Sequence, residues 1–300
     1  MVLALQIVLA ACFVGIAVDL LVDINKNHKG ECKKAGGKLW VQGMFVGILA
    51  NFLDTLGCGS FAPSTFMYKT FKNVDDINIP GTLNVGDTFP VIFEALIFTN
   101  TVDCEPIFLV SMCVAAMIGA YVMAEIITKW DVNKIRVAVG IAMLATGIIL
   151  FFKNSGIGPF GVIGTLNGFT PSTWQFWVAV ILNFFWGACM DIGFGLYAPC
   201  MATCLLLGCS ATTCFPVFMG SCALLMPANS IVFIKKSRYD VVATLGNMIG
   251  GCIGVFIAWK IITSMPMKAL IYVICVVMLW TAYTMFRDRA RDLKAKADAK

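Results

Sequence analysis

Long apolar runs, separated by short polar or basic stretches, make up most of the chain. Several runs approach or exceed about 18 residues, the length that crosses the hydrocarbon core of a membrane. This pattern predicts an all-α polytopic membrane protein. The predicted membrane helices, in chain order, are 2–22, 82–98, 107–127, 135–152, 212–234, 241–262 and 267–286.

Two further apolar segments, 39–71 and 174–207, are each interrupted by glycines and a proline. A glycine inside a helix costs about 1 kcal/mol relative to alanine, and a proline costs about 3 kcal/mol. We therefore predict a break in each helix, re-entrant or discontinuous. In a bilayer, broken backbone is tolerated where it is buried in protein or lines a cavity. A matched pair of such breaks is the best sequence indication of a transporter binding site.

The two breaks belong to an internal duplication. Pro63 and Pro199 are 136 residues apart, and so are Pro80 and Pro216. Self-similarity at a fixed spacing indicates a repeated structural unit. The predicted organisation is an N-terminal helix with a basic loop (1–38), a first repeat (39–153), a connector (154–173), a second repeat (174–286) and a polar tail (287–300).

The distribution of basic residues favours inverted repeats. If the broken segments are re-entrant, 19 of the 22 Lys and Arg residues lie on one side of the membrane, against 15 if these segments span it. Basic residues concentrate on the cytoplasmic side, so we expect a cytoplasmic C-terminus and an N-terminus outside the cell. Fully spanning broken helices in parallel repeats remain the alternative.

Composition excludes several function classes. A hydrophobic share of 59% and a mean hydropathy of +0.86 exclude a water-soluble globule. The net charge of +5 is explained by topology, so no nucleic-acid partner is expected. One histidine and thirteen cysteines without a CxxC pair predict reduced, buried thiols, no metal and no cofactor. In the absence of a catalytic triad or a phosphate-binding loop, the chain is not expected to be an enzyme.

The chemistry of the breaks suits an anion. A helix that starts at Ser60 or Leu196 would direct free N–H groups and a partial positive charge toward the membrane centre. Glycines that only permit close helix packing are the alternative. Cys58 is interpreted either as a contact for a sulfur atom of the ligand or as a small residue that only fills space. The candidate substrate-binding residues are Thr55, Gly57, Cys58, Gly59, Ser60, Asn84, Thr88, Gly193, Gly195 and Tyr197.

Five acids, Glu125 among them, lie in or near the apolar segments, and acids inside a membrane are functional candidates. Four of the five are taken further. They are candidates for proton coupling to the anion, although helix capping or an internal hydrogen bond would also account for them. These residues are Asp54, Asp87, Glu94 and Asp191.

The breaks, together with Pro80-Gly81-Thr82-Leu83-Asn84 at the start of the next helix, resemble the TauE/SafE family of membrane permeases. The resemblance extends over nearly the whole chain except the polar tail. It implies a secondary transporter in the bacterial plasma membrane that carries a small sulfur-containing anion, such as sulfite or an organosulfonate. The expected partners are this anion and the lipid bilayer, with a homo-oligomer left open. A passive anion channel and a membrane-embedded thiol or redox protein are the alternatives.

Overall fold

Helices form the regular structure of the chain in the computed structural model, which describes residues 1–127, 131–157, 164–190 and 195–298. The predicted all-α class is confirmed. The helices of the first half are α1 (Val2–Asn27), α2 (Glu31–Lys34), α3 (Gly37–Thr55), α4 (Phe61–Phe71), α5 (Ile79–Thr101), α6 (Pro106–Ile127) and α7 (Val132–Ser155). The helices of the second half are α8 (Trp174–Met190), α9 (Tyr197–Leu207), α10 (Ala211–Lys235), α11 (Val241–Ser264) and α12 (Met267–Asp298).

Six of the described helices are long and apolar enough to cross a membrane. They lie within α1, α6, α7, α10, α11 and α12, which confirms the prediction of a multi-pass membrane protein. Helix α12 continues past residue 286, where we expected the apolar helix to end, as far as Asp298. The alanines and basic residues of this tail favour helix, and Asp292 forms an ion pair with Arg136 of α7.

The chain forms two compact units, and each combines helices from both halves. Unit 1 contains Met1–Val102 and Met219–Ser264, and unit 2 contains Asp103–Phe218 and Met265–Lys300. In unit 1, α3 of the first half packs along α11 of the second. In unit 2, α8 of the second half packs along α6 of the first. The two units are defined by which helices pack together, whereas the two repeats were defined by similar sequence. The units therefore do not test the division into repeats, which stays a prediction.

Glycines allow α3 and α11 to touch backbone to backbone in unit 1. A β-carbon at Gly47 would lie 2.4 Å from the carbonyl oxygen of Asn247, and one at Gly250 would lie 2.2 Å from that of Met44. Small residues of this kind are what permits close helix packing in membranes. The contact therefore holds Asn247 of α11 against the first broken segment.

Glycines also allow α6 and α8 to touch backbone to backbone in unit 2. A β-carbon at Gly119 would lie 1.9 Å from the carbonyl oxygen of Phe184, and one at Gly187 would lie 2.1 Å from that of Ala116. A hydrogen bond also joins these two helices: Nδ2 of the buried Asn183 on α8 donates to the carbonyl of Met112 on α6 at 2.7 Å. Both units are thus built on a helix pair with backbone contact.

Helix α1 packs on α5 and is held at its polar end by the loop before α11. Phe13 stacks edge-on against Phe89, with ring centroids 5.0 Å apart. The buried Asp23 accepts hydrogen bonds from Tyr239 Oη at 2.6 Å and Ser237 Oγ at 2.9 Å. Burial and the bond to Asp23 raise the pKa of Tyr239, so this phenol stays a donor. The side of α1 turned away from α5 is apolar and exposed, as a lipid-facing surface requires.

A methyl group at Gly47 should separate α3 from α11. Because the nearest atoms are backbone, the helices themselves must shift, and overpacking of this kind costs about 1–3 kcal/mol. We expect Gly47→Ala to lower the melting temperature and the folded yield in detergent. Gly15→Ala in α1 is the matched control, since its β-carbon meets nothing within 4 Å. Equal melting temperatures of the two variants would contradict the backbone contact.

Candidate substrate and ion site

The first break is a short glycine-containing turn between α3 and α4. Helix α3 ends at Thr55, where the N–H of Gly57 donates to the carbonyl of Asp54 at 2.7 Å and that of Cys58 to the carbonyl of Leu53 at 3.0 Å. Gly57 and Gly59 have φ angles of 96° and 81°. This left-handed region is strained for residues with a β-carbon. The two glycines therefore let the chain leave α3 and start α4 within five residues.

Helix α4 begins at Phe61, with Ser60 as its N-cap, and Pro63 lies in its first turn. The N–H groups of a first turn have no partner within the helix, so a proline there removes nothing. The proline thus starts the second helix rather than breaking the first one. The Ser60 side chain makes no capping bond, which leaves this hydroxyl for other contacts.

Ser60 brings two buried carboxylates together. Its backbone N–H and its side chain interact with Asp54, and its side chain also lies beside Asp87 of α5. Asp54 is 4% exposed and Asp87 is fully buried. The carboxylate of Asp54 therefore lies at the N-terminal end of α4, which carries a partial positive charge. Cys58 is half-buried next to the same carboxylate.

Two buried amides complete this cluster, and we did not single them out in the sequence. Asn51 Nδ2 of α3 donates to Asp87 Oδ1 at 3.1 Å, and Asn247 Nδ2 of α11 donates to the same oxygen at 2.6 Å. Both asparagines are fully buried. Each is a polar residue inside an apolar run, and that was the only sequence signal for them. No comparison within one half could have paired Asn247 with Asp87, because α11 comes from the other half.

The remaining candidates of the first half lie on or near α5. Thr55 donates to the carbonyl of Asn51 at 2.8 Å and closes the last turn of α3. Thr88 Oγ1 lies 2.7 Å from Ser230 Oγ of α10, and Ser230 also donates to the carbonyl of Asn84. Thr88 therefore faces α10 and Asp87 faces α3 and α11, whereas the Asn84 side chain donates to the carbonyl of Pro80 at 2.8 Å. Glu94 is fully buried two turns further along α5.

The second break lies in unit 2, between α8 and α9. Helix α8 ends at Met190 and α9 begins at Tyr197. The candidates Asp191 and Gly193 lie outside the described residues. Gly195 is exposed, and a β-carbon there would meet nothing within 4 Å. Helix α9 has the same eleven residues' length as α4 and likewise carries its proline, Pro199, in the first turn.

Aromatic packing fixes the start of α9. The ring of the buried Tyr197 lies on Phe218, with centroids 4.7 Å apart. Trp186 Nε1 of α8 donates to Thr203 Oγ1 at 3.0 Å, which ties the two helices of the broken segment together. The N-cap residue Leu196 provides no side-chain cap, so this helix end keeps its first N–H groups for other acceptors.

The cysteines of the second half form a thiol cluster around Cys204. The thiols of Cys200, Cys209 and Cys214 are its neighbours. All four are buried, and none of them forms a disulfide bond. Among the described residues, no group of three or more His, Cys, Asp or Glu is arranged to hold a metal ion.

Accessibility of the first break is testable with thiol reagents. In a variant whose only cysteine is Cys58, we expect alkylation of the folded protein in detergent, because this residue is only half-buried. A variant that retains only Cys204 should react after unfolding alone, because that thiol is fully buried. Mass spectrometry of intact protein gives both rates. Equal rates in the folded state would contradict the described exposure of the break.

A family comparison bears on the same region. Residues 2–150 match the model of a family described as "Sulfite exporter TauE/SafE". The match includes the first break, Asp54 and Asp87, and it leaves the resemblance of the second half a prediction. No curated protein and no solved structure matches the chain. The match over residues 2–150 confirms the resemblance to the TauE/SafE family, a family of membrane transport proteins, for the first half of the chain.

Proposed function

We propose that the chain is a secondary transporter that moves a small sulfur-containing anion, such as sulfite or an organosulfonate, across the bacterial plasma membrane. The observation that carries this proposal is the family match over residues 2–150, which includes the whole first break. The multiple apolar helices support it.

The proposal assigns an anion receptor to each of two helix ends, one in each unit. The N-termini of α4 and α9 each offer first-turn N–H groups and a partial positive charge. Glycine next to each end lets an anion approach the backbone. The residues assigned to the receptor in unit 1 are Thr55, Gly57, Cys58, Gly59 and Ser60, with Asn84 and Thr88 on α5. Those assigned to the receptor in unit 2 are Gly193, Gly195 and Tyr197.

Transport in this proposal occurs by alternating access, as in other carriers with broken helices and inverted repeats. Both breaks are re-entrant, the first from the cytoplasm and the second from outside. The C-terminus is cytoplasmic and the N-terminus lies outside. The loops that carry most of the basic residues then lie inside, in agreement with the positive-inside rule.

Asp54 supplies a physical link between substrate and proton. Its carboxylate lies at the N-terminal end of α4, which is one of the two proposed anion receptors. Two anions cannot share this end without strong repulsion, so the substrate takes the place of Asp54 only when this carboxyl is neutral or has moved. Asp87, Glu94 and Asp191 are the other candidates for proton coupling.

Bulk at Gly195 should block transport without damage to the fold. A leucine side chain there begins in open space within the described structure but would fill the approach to the start of α9. We expect Gly195→Leu to lose at least tenfold in the rate of sulfite transport by proteoliposomes and to keep its melting temperature. Gly15→Leu, in equally open space on α1, should keep both.

The same proteoliposomes separate a carrier from a passive channel. Accumulation of the anion against its own gradient, driven by an imposed ion gradient, requires a carrier, whereas a channel only equilibrates it. Full transport by Gly195→Leu would refute the role of the second break, and purely downhill flux would refute the carrier.

Neutralisation of Asp54 should remove its competition with the substrate anion for the N-terminal end of α4. We expect Asp54→Asn to bind the anion with an affinity that no longer weakens as pH rises, because the amide carries no charge at any pH. The wild type should bind less tightly at high pH, where Asp54 is ionised. Thermal stabilisation between pH 5.5 and 8 by an organosulfonate, whose sulfonate charge is constant in this range, measures both. An unchanged pH profile in Asp54→Asn, with Asp76→Asn on the exposed loop as control, would contradict the link.

A further inference from the structure

The buried polar cluster of unit 1 has too many acceptors for the donors around it. Asp87 Oδ1 receives two amide N–H groups, from Asn51 and Asn247. Asp87 Oδ2, Asn51 Oδ1 and Asn247 Oδ1 are buried and have no hydrogen-bond partner among the described residues, and the Ser60 side chain, which lies beside Asp87, does not reach Oδ2 with hydrogen-bond geometry. Buried acceptors without a partner are costly, and each requires an explanation.

The orientation of both amides is fixed by their other bonds. The Nδ2 of Asn51 donates both to Asp87 and to the carbonyl of Gly47 at 3.1 Å. The Nδ2 of Asn247 donates to Asp87 at 2.6 Å. An exchange of nitrogen and oxygen in either amide would place two acceptors against each other. The amide oxygens therefore remain acceptors next to a carboxylate.

Two glycines leave room for these side chains. A β-carbon at Gly86 would lie 2.7 Å from Asn247 Nδ2, and one at Gly251 would lie 2.7 Å from Asn51 Nδ2. Gly86 precedes Asp87 on α5, and Gly251 lies one turn after Asn247 on α11. Helices α3, α5 and α11 thus form a cradle for one carboxylate and two amides, and any larger residue at either glycine would displace an amide.

The charge of the cluster points to a cation. Asp54 lies close enough to Asp87 for the two carboxylates to repel, and no ion pair among the described residues includes either of them. Buried negative charges need a compensating positive one. The C-terminal end of α3, on which Asn51 lies, adds a partial negative charge.

From this geometry we propose that Asp87, Asn51 and Asn247 form a binding site for a sodium ion. A sodium ion satisfies one carboxylate and two amide oxygens at once, whereas a single proton bridges at most two of them. Hard cations prefer such carboxylate and carbonyl oxygens, and in transporters a sodium ion is held by carbonyl groups beside a broken helix. A role of this sodium ion as the coupling ion rests on the proposed carrier function. The binding of sodium to the site does not depend on that function.

Sodium binding is measured by thermal unfolding of the purified full-length chain in detergent, followed by the fluorescence of its seven tryptophans. NaCl, KCl and choline chloride are compared at equal ionic strength and constant chloride, from pH 5.5 to 8. At a sodium concentration a hundred times the dissociation constant, we expect a rise in melting temperature of about 5 °C. Potassium and choline should give none.

Three variants test whether the stabilisation by sodium comes from the proposed site at Asp87, Asn51 and Asn247. Asp87→Asn keeps the shape and removes the charge, so it should unfold at or above the wild-type temperature without sodium and show no response to it. Asn247→Ala should reduce the response at least tenfold in apparent affinity. Asp23→Asn is the matched control and should respond like the wild type, because the Asp23 carboxylate is already hydrogen-bonded by Tyr239, Ser237 and Asn27.

Two results would overturn the proposal. One is the absence of any specific sodium effect in the wild type. The other is a stabilisation by low pH alone that disappears in Asp87→Asn, which would assign a proton to the site. Neither result depends on anion transport, so a failed sodium site and a failed carrier function can be told apart by sulfite flux in proteoliposomes.

Discussion

Two helices can touch along their backbones only where neither has a side chain in the way, and the contact of α3 with α11 in unit 1 depends on this condition. Gly47 on one helix and Gly250 on the other remove the obstructing atoms. The contact brings the amide of Asn247 to the carboxylate of Asp87, which α5 presents from a third side. The polar cluster is therefore a product of close packing. Its residues come from the three helices α3, α5 and α11.

At the first break, the end of one helix and the start of the next place partial charges of opposite sign close together. The end of α3 carries a partial negative charge, and the start of α4 carries a partial positive one. The five residues between these helices place the two ends next to each other. A cation near Asn51 and an anion near Ser60 would each lie at the helix end that favours it. Neighbouring sites for opposite charges also lower the cost of burying either ion, since each partly compensates the other.

Much of the fold could be predicted from local pattern. Apolar length located the helices, and the glycines with Pro63 and Pro199 located the irregular stretches, because backbone geometry is a local property. Which helices pack together could not be predicted in this way. The repeats suggest that α3 and α5 belong with α6, yet α3 packs along α11. Asp87 and Asp54 were recognised as candidates because acids are rare in apolar runs. Asn51 and Asn247 were not, because a single amide in such a run has many ordinary roles until its partner is known.

The exchange of helices between the two halves has a consequence for synthesis. Helix α3 is complete at Thr55, but its packing partner starts only at Val241. At about 5–20 residues per second, roughly 10–40 s pass between the two. During this interval Asn51 and Asp87 have left the ribosome without Asn247, and the glycine face of α3 has no neighbour from α11. Nascent unit 1 therefore needs a temporary partner in the membrane, such as lipid, water or the insertion machinery, until the last quarter of the chain arrives.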